Sequence, residues 1–508
     1  MSDGPAPIDE IAVPALLLAF ITMSATAHRV SRVLVVLLTV TVLASGGLLI
    51  AEGAEQAGPE IVAIYPNPVV DNDTGEYVTL SVPEETDLTD WTLSDDDATV
   101  PLPNVTVSGR IALSTDPDRA SNLTDETVYE LGSHLALANG GENLTVSDGS
   151  HVVDRIGYRN SHEGEVGHVE DGEITWERLG GTNFPVRTGG PGQVRTFVLP
   201  DAGGLPSDVL ASADDRIMLA GYTFNSGQAT ETLIAAEERG VEVSVLLEGD
   251  PVGGMTNHQA MLLDRLSAKG VTVRVVDGPY ARVDHHHAKY AVVDDRAMVL
   301  TENWKPAGTG GMSSRGWGVL LTQRGLVGDL AETFRTDANW RDAVPWKQYR
   351  DRNEFTEGDR TNGSFRQRYR PRTHRATGAA LLVAPDNAER EIIEHLDAAE
   401  ESIHVVQVGV GGPDQTFVRA IKRAADRGVE VRLLLSRAWY AAEENRAVAE
   451  DLERWADRAG APLSVRLARP RDRFGKIHAK GVIIDGDTVV LGSLNWNDNA
   501  YENNREVA

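Results

Sequence analysis

The chain repeats itself, and the repeat constrains its fold more than any other feature. Ala235–Leu247 reads AAEERGVEVSVLL and Ala424–Leu435 reads AADRGVEVRLLL. Each is the end of a helix, an Arg-Gly step placing Gly240 or Gly428 at the left-handed C′ position, and a mostly apolar strand. Strands of that kind belong in sheets covered on both faces. Strand-like runs precede them at Arg216–Phe224 and Ser402–Val410, and others follow at Val271–Val276 and Leu463–Leu467. Strand alternating with helix, twice over, predicts two homologous α/β units.

Each unit then carries the same polar signature. His287-Ala288-Lys289 is followed by Asp294, and His478-Ala479-Lys480 by Asp485, so both fit H-x-K-x4-D. A single match is commonplace; two inside an independently visible repeat are not. His and Lys two apart on a strand share a face, so two such strands can bring two imidazoles and two ammonium groups to one cleft. That set suits phosphodiester cleavage. A neutral imidazole attacks phosphorus and forms a covalent phospho-enzyme. A protonated one donates to the leaving oxygen and then activates water. The lysines stabilise charge on the phosphate oxygens. The chemistry calls for no metal and no other cofactor. His285-His286-His287 suggests a metal tract, but alternation turns His286 to the opposite face, and a metal site is not expected.

From about Ser207 onward the chain resembles the phospholipase D superfamily, on its two HKD motifs and on Gly492-Ser493-Leu494-Asn495, which matches the family's G-S-x-N. The resemblance implies a metal-free, two-step phosphohistidine mechanism in one pseudo-twofold unit. It implies His287 as nucleophile and His478 as acid/base, an order that sequence alone does not fix. It also implies Lys289 and Lys480 on the phosphate, Asp294 and Asp485 in support, Ser493 and Asn495 in substrate binding, and Glu506 orienting a catalytic histidine. The first repeat departs from the pattern. Thr301-Glu302-Asn303-Trp304 is one residue shorter than Gly492–Trp496, so Asn303 is expected to take the role of Asn495, with Glu302 a substitute carboxylate. Gly316 stands where a counterpart of Glu506 is expected, which leaves the orientation of His287 open. The first repeat also continues through Val319–Trp340, so the second half is expected to be truncated at Ala508.

Upstream, Ile61–Tyr158 contains short alternating runs separated by turn residues, as in Glu76–Val82 and Asn143–Ser147, the pattern of a β-sandwich. The ordered set YPNP, GEYVTL, DWTLSD, LANGGENL and VVDRIGY resembles a lamin-tail domain, which implies an immunoglobulin-like sandwich used as an accessory binding module. Trp91 is expected in its core. The fold class is thus multidomain: an all-β sandwich followed by two α/β phospholipase D-like repeats. The expected boundaries are 1–57 for a signal or anchor, 58–160 for the sandwich and 161–206 for a Gly/Pro/Thr-rich linker. Half 1 is expected over 207–345, a basic linker over 346–378 and half 2 over 379–508.

Export is expected from Val33–Ile50, an uncharged apolar run preceded by His28, Arg29 and Arg32. A second apolar stretch, Ile11–Ala27, precedes it, and Met23 is the favoured natural start. Sequons at Asn72, Asn104, Asn122, Asn143 and Asn362 agree with export. The 508 residues hold no cysteine, which excludes disulfides and thiolate chemistry. Acidic residues number 76 against 48 basic ones, spread along the chain, as on a solvated surface for a salt-rich medium. Against that background the basic stretches Tyr349–Arg375 and Arg469–Lys476 read as a funnel for an anionic diester. The expected protein is an exported phosphodiesterase, extracellular or cell-surface. Its expected substrate is phospholipid, with nucleic acid the alternative, and no protein partner is evident. A non-catalytic surface binder and a headgroup-transfer enzyme are the rivals.

Overall fold

The computed structural model describes residues 58–69, 73–132, 135–278, 281–358 and 362–508. The apolar runs 11–27 and 33–50 and the Asn72 sequon lie outside the described residues. Among the described residues, no helix is long and apolar enough to cross a membrane.

Two antiparallel-rich sheets make the first region. The larger runs Glu173–Arg178, Glu165–Glu170, Glu60–Tyr65, Tyr77–Asp87, Thr106–Ser114, Thr127–Glu130; the smaller runs Thr99–Pro101, Thr92–Ser94, Asn143–Ser147, Val152–Gly157. Alternation buries Ile61, Ile64 and Leu80 of one sheet against Leu93, Leu144 and Val146 of the other, and Trp91 packs half-buried against this core. The expected linker over 161–206 is corrected: it is mostly folded. Its first part, 165–178, is a hairpin that widens the larger sheet. The signal is in the sequence, since Asp171-Gly172, both at positive φ, sits between two alternating runs. Gly192–Leu199 then pairs with Ser314–Leu321 on one side and Arg372–Ala376 on the other. The expected basic linker over 346–378 is corrected likewise. It contains the helix Trp346–Arg350, which buries Trp346 and Tyr349, and the strand Arg372–Ala376.

Both halves build their sheets in the same order. In the first, Thr272–Val276, Glu242–Glu248 and Arg216–Gly221 run parallel, and Tyr290–Val293, Arg296–Leu300 and Ser314–Leu321 continue antiparallel. In the second, Leu463–Leu467, Glu430–Leu435 and Ser402–Gln407 are followed by Gly481–Ile484 and Thr488–Leu491. Helices cover both faces of the first sheet. Gly227–Glu238 and Asn257–Ala268 bury Leu233 and Leu263 on one side, and Arg324–Asn339 buries Leu330 and Phe334 against Tyr290 and Val292 on the other. Two-sided burial explains why the motif strand Tyr290–Val293 is apolar throughout. Gly240 and Gly428 take φ of 92° and 96°, the left-handed terminators that the repeat requires.

The halves are joined by an exchange. Backbone at His285 and His287 pairs with Arg505 of the second half, and Lys476–Ile477 pairs with Ser314–Arg315 of the first. Below the first seam lies a buried charge network. Asp337 meets His286 Nε2 at 3.4 Å and Arg505 Nε at 3.1 Å, and Asp386 meets Arg505 at 3.4 Å. His286 therefore faces away from His287 into this network. Among the described residues, no group of three side chains is arranged to hold a metal.

Candidate active site

The seam places each motif histidine beside the other half. The His287 amide donates to Arg505 O at 2.9 Å, and its Nδ1 lies 2.7 Å from Glu506 Oε1. The His478 amide donates to Arg315 O at 3.0 Å. Its Nδ1 lies 3.0 Å from Thr301 O and 3.4 Å from Glu302 Oε2. Glu506 of the second half thus serves the histidine of the first, and Glu302 of the first serves that of the second. The His287 side chain is 11% exposed and that of His478 17%, so both rings reach the cleft, while both carboxylates are sealed beneath them.

Gly316 is resolved by the same geometry. A Cβ there would stand 2.1 Å from Glu302 Cγ, so the Glu302 side chain fills the space that a side chain at 316 would need. In the second half the carboxylate comes from Glu506 itself. The missing residue of the first repeat is also relocated. Tyr290 pairs with Val299 and Gly481 with Leu491, so Leu300 matches Gly492, Thr301 matches Ser493 and Asn303 matches Asn495. The shortening lies in the hairpin turn, Asp294-Asp295 against Asp485-Gly486-Asp487, and Glu302 occupies the variable position of G-S-x-N.

The lysines lie under the cleft. Lys289 Nζ donates to His287 O and sits 5.2 Å from the Tyr222 ring. Lys480 Nζ contacts His478 Nδ1 at 3.2 Å and reaches across the seam to Thr301 O at 3.4 Å. Burial, helped by Lys480 and Lys305 and opposed by Glu506, holds Lys289 well below its ordinary value, and burial leaves Lys480 at about 8. Burial also pulls His287 down to about 4; Glu506 opposes this and Lys289 adds to it. Burial would raise Glu506, but His287 and Lys289 outweigh it and hold it ionised. A neutral His287 with its Nδ1–H on Glu506 would leave its Nε2 lone pair free. The other pair differs. Burial raises Glu302 to about 7 against the pull of Lys480 and Lys305, while burial and those lysines hold His478 well below its ordinary value. A carboxyl raised toward neutrality thus stands 3.4 Å from His478 Nδ1, within reach of a proton exchange with that ring.

The motif aspartates bind backbone amides. Asp294 accepts amide hydrogens from Asp214, Asp215 and Arg216 at 3.0, 2.9 and 3.0 Å, and Asp485 accepts from Glu400, Glu401 and Ser402 at 3.0, 2.8 and 2.8 Å. Each sits at the far end of its motif strand and staples the start of the neighbouring one. Ser493 Oγ bridges the backbone of Val507 at 3.0 and 3.3 Å and so fixes the segment bearing Glu506. Asn303 has a buried Oδ1 with no partner, and Asn495 is half-buried. Sequence reasoning missed Tyr222, whose ring lies 4.7 Å from that of His287, and Lys305, whose charge acts on Glu302 and His478. It also missed Gln407, fully buried with both amide atoms unpartnered. Neither Tyr222 nor Gln407 carries a motif; each lies at the end of the first strand of its half.

A family model described as cardiolipin synthase, PLD-like domain matches residues 207–338 and 392–508. Among solved structures the chain is similar to Nuc from Salmonella typhimurium, a phospholipase D family member, at 19% identity over 30% of this chain and 97% of that one, TM-score 0.27. It is similar to polyphosphate kinase from Porphyromonas gingivalis at 16% identity, over 62% of this chain and 47% of that one, TM-score 0.39. Phosphatidylserine synthase from Haemophilus influenzae Rd KW20 matches at 13% identity, over 63% and 81% of the two chains, TM-score 0.45. Among curated proteins, none matches. With each motif histidine set against a carboxylate of the other half, the two matched segments carry a PLD-like domain, and the chain is an enzyme that acts on phosphodiesters.

Proposed function

We propose that the chain is an exported phosphodiesterase that hydrolyses phospholipid through a covalent phosphohistidine. His287 Nε2 attacks phosphorus while the Glu302–His478 pair passes its proton to the leaving oxygen. His478 then takes a proton from water, whose oxygen displaces His287. Lys289 and Lys480 carry the negative charge of the transition state, and Asn303 and Asn495 offer amides to the phosphate. The observation that carries this reading is the crossed pairing: Glu506 of the second half lies 2.7 Å from His287 Nδ1, and Glu302 of the first lies 3.4 Å from His478 Nδ1. Phospholipid is favoured as substrate by the apolar run 33–50, which would place the enzyme at a membrane. The sandwich, of lamin-tail type, serves as an accessory module.

The test is chemical trapping. Wild type incubated with a phospholipid labelled at phosphorus should retain label that survives alkali and is lost in acid, the signature of phosphohistidine. His287→Ala should retain none. Acid-stable label, or label on the His287→Ala variant, would refute the assignment.

A further inference from the structure

The cleft opens onto a rim unlike the rest of the molecule. Four exposed apolar or aromatic side chains connect to the catalytic groups through a short chain of neighbours. Val252 is 85% exposed, and its amide donates to the hydroxyl of Tyr222, the ring beside His287. Tyr440 lies over Lys476 Nζ at 4.8 Å, two residues before His478, and its neighbour Trp439 is 91% exposed. Tyr369 stacks with Arg315, whose carbonyl holds the amide of His478.

Beside Trp439 runs a groove of about 660 Å³ lined by Arg437, Arg446, Arg466, Arg469 and Arg471, with no carboxylate in its wall. Among the described residues none of these five arginines makes an ion pair, in a chain whose acidic residues outnumber basic ones 76 to 48. Unpaired guanidinium groups gathered in one concavity recognise phosphate, singly or in rows. A nucleic-acid groove would explain the arginines and Trp439 by stacking. It would not explain Val252, an exposed aliphatic residue held at its amide by the Tyr222 hydroxyl in the other half. An aromatic pair and an aliphatic tip flanked by arginines are what an interface between water and lipid selects.

We propose that this rim is an interfacial docking surface for an anionic phospholipid bilayer. Trp439, Tyr440 and Val252 enter the headgroup layer, and the arginine groove engages lipid phosphates. The proposal rests on the phospholipid reading and adds how the enzyme meets its substrate.

The absence of cysteine makes the test clean. The full chain carrying W439C is labelled with a polarity-sensitive thiol dye, and V489C, on the edge strand near the Asp485 end of the second motif, serves as control. On phosphatidylglycerol vesicles the dye at 439 should shift to the blue, less so on phosphatidylcholine, and the dye at 489 should not move. A tether elsewhere in the chain would act on both dyes alike. No shift at 439, or a shift with a single-stranded oligonucleotide and none with vesicles, overturns the proposal. The pair W439S/R466Q should lower hydrolysis of vesicle lipid roughly tenfold. Hydrolysis of a soluble chromogenic diester should be unchanged. If the dye docks but vesicle lipid is not cleaved, the substrate reading fails and docking stands. If lipid is cleaved without docking, docking alone fails.

Discussion

Glu302→Gln tests the crossed arrangement most directly. The variant keeps shape and volume, so the fold should be retained. What it removes is a carboxylate 3.4 Å from His478. At an effective dielectric near 20, a full charge pair at that distance is worth about 5 kcal/mol, an upper bound on what the imidazolium loses. Allowing for the lysines that already screen Glu302, about 3 kcal/mol of transition-state stabilisation should go, a fall in kcat of roughly two orders of magnitude. The pH profile should move as well. The acid must hold its proton, so wild-type activity falls as pH rises past the value of the Glu302–His478 pair, near 7 for Glu302. Without the carboxylate, His478 is left with burial and Lys480, both of which lower it, so the falling limb should shift to more acidic pH. The assay is initial-rate hydrolysis of a soluble diester from pH 5 to 9. A positional rescue completes it. Gly316→Glu alone should inactivate, since its Cβ would collide with Glu302. Gly316→Glu combined with Glu302→Ala places a carboxylate at the counterpart of Glu506 and should recover at least a tenfold share of what Glu302→Ala loses. Turnover of Glu302→Gln within threefold of wild type, or a double variant no better than Glu302→Ala, would refute the reasoning.

Asp485→Ala should lower stability by about 2–3 kcal/mol in chemical denaturation, because three amide hydrogens lose a charged acceptor. The kcat of the folded fraction should stay within a few-fold of wild type. Arg505→Met should destabilise strongly, by about 3–5 kcal/mol, because buried Asp386 loses its guanidinium and buried Asp337 is left with His286 and Arg282 alone. In the sandwich, burial raises Glu76 to about 8. The folded state therefore keeps a proton that the unfolded chain releases near 4.5, and stability is lost as pH rises from that value to about 8. Glu76→Gln should match wild type at pH 5 and melt higher at pH 9, by about 1–3 kcal/mol.

Much of the second region was legible because the sequence states it twice. The glycines at 240 and 428, the apolar strands and the H-x-K spacing each reported a local rule, and each is a local feature of the structure. Glu302 was visible as an odd carboxylate in a turn that both repeats share, but its partner was not. Pairing across the seam depends on how two halves pack, and neither half contains that information. The one-residue gap was placed in Thr301–Trp304 because motif letters were aligned. The ladder places it in the turn, where length changes leave register intact. Across 161–206 the glycine and proline content masks a short Asp-Gly hairpin. Tyr222 and Gln407 carried no signal beyond strand ends facing a cleft.

The exchange of carboxylates has a consequence for the history of such a chain. After a duplication, two copies are usually free to drift, since one can decay while the other works. Here each copy completes the other's histidine, so loss at 302 silences a residue in the far half, and loss at 506 does the reverse. Symmetry has been given up locally, with glycine at 316 and glutamate at 302, while the debt between the copies has been kept. The two copies are bound to be inherited, and to fail, together.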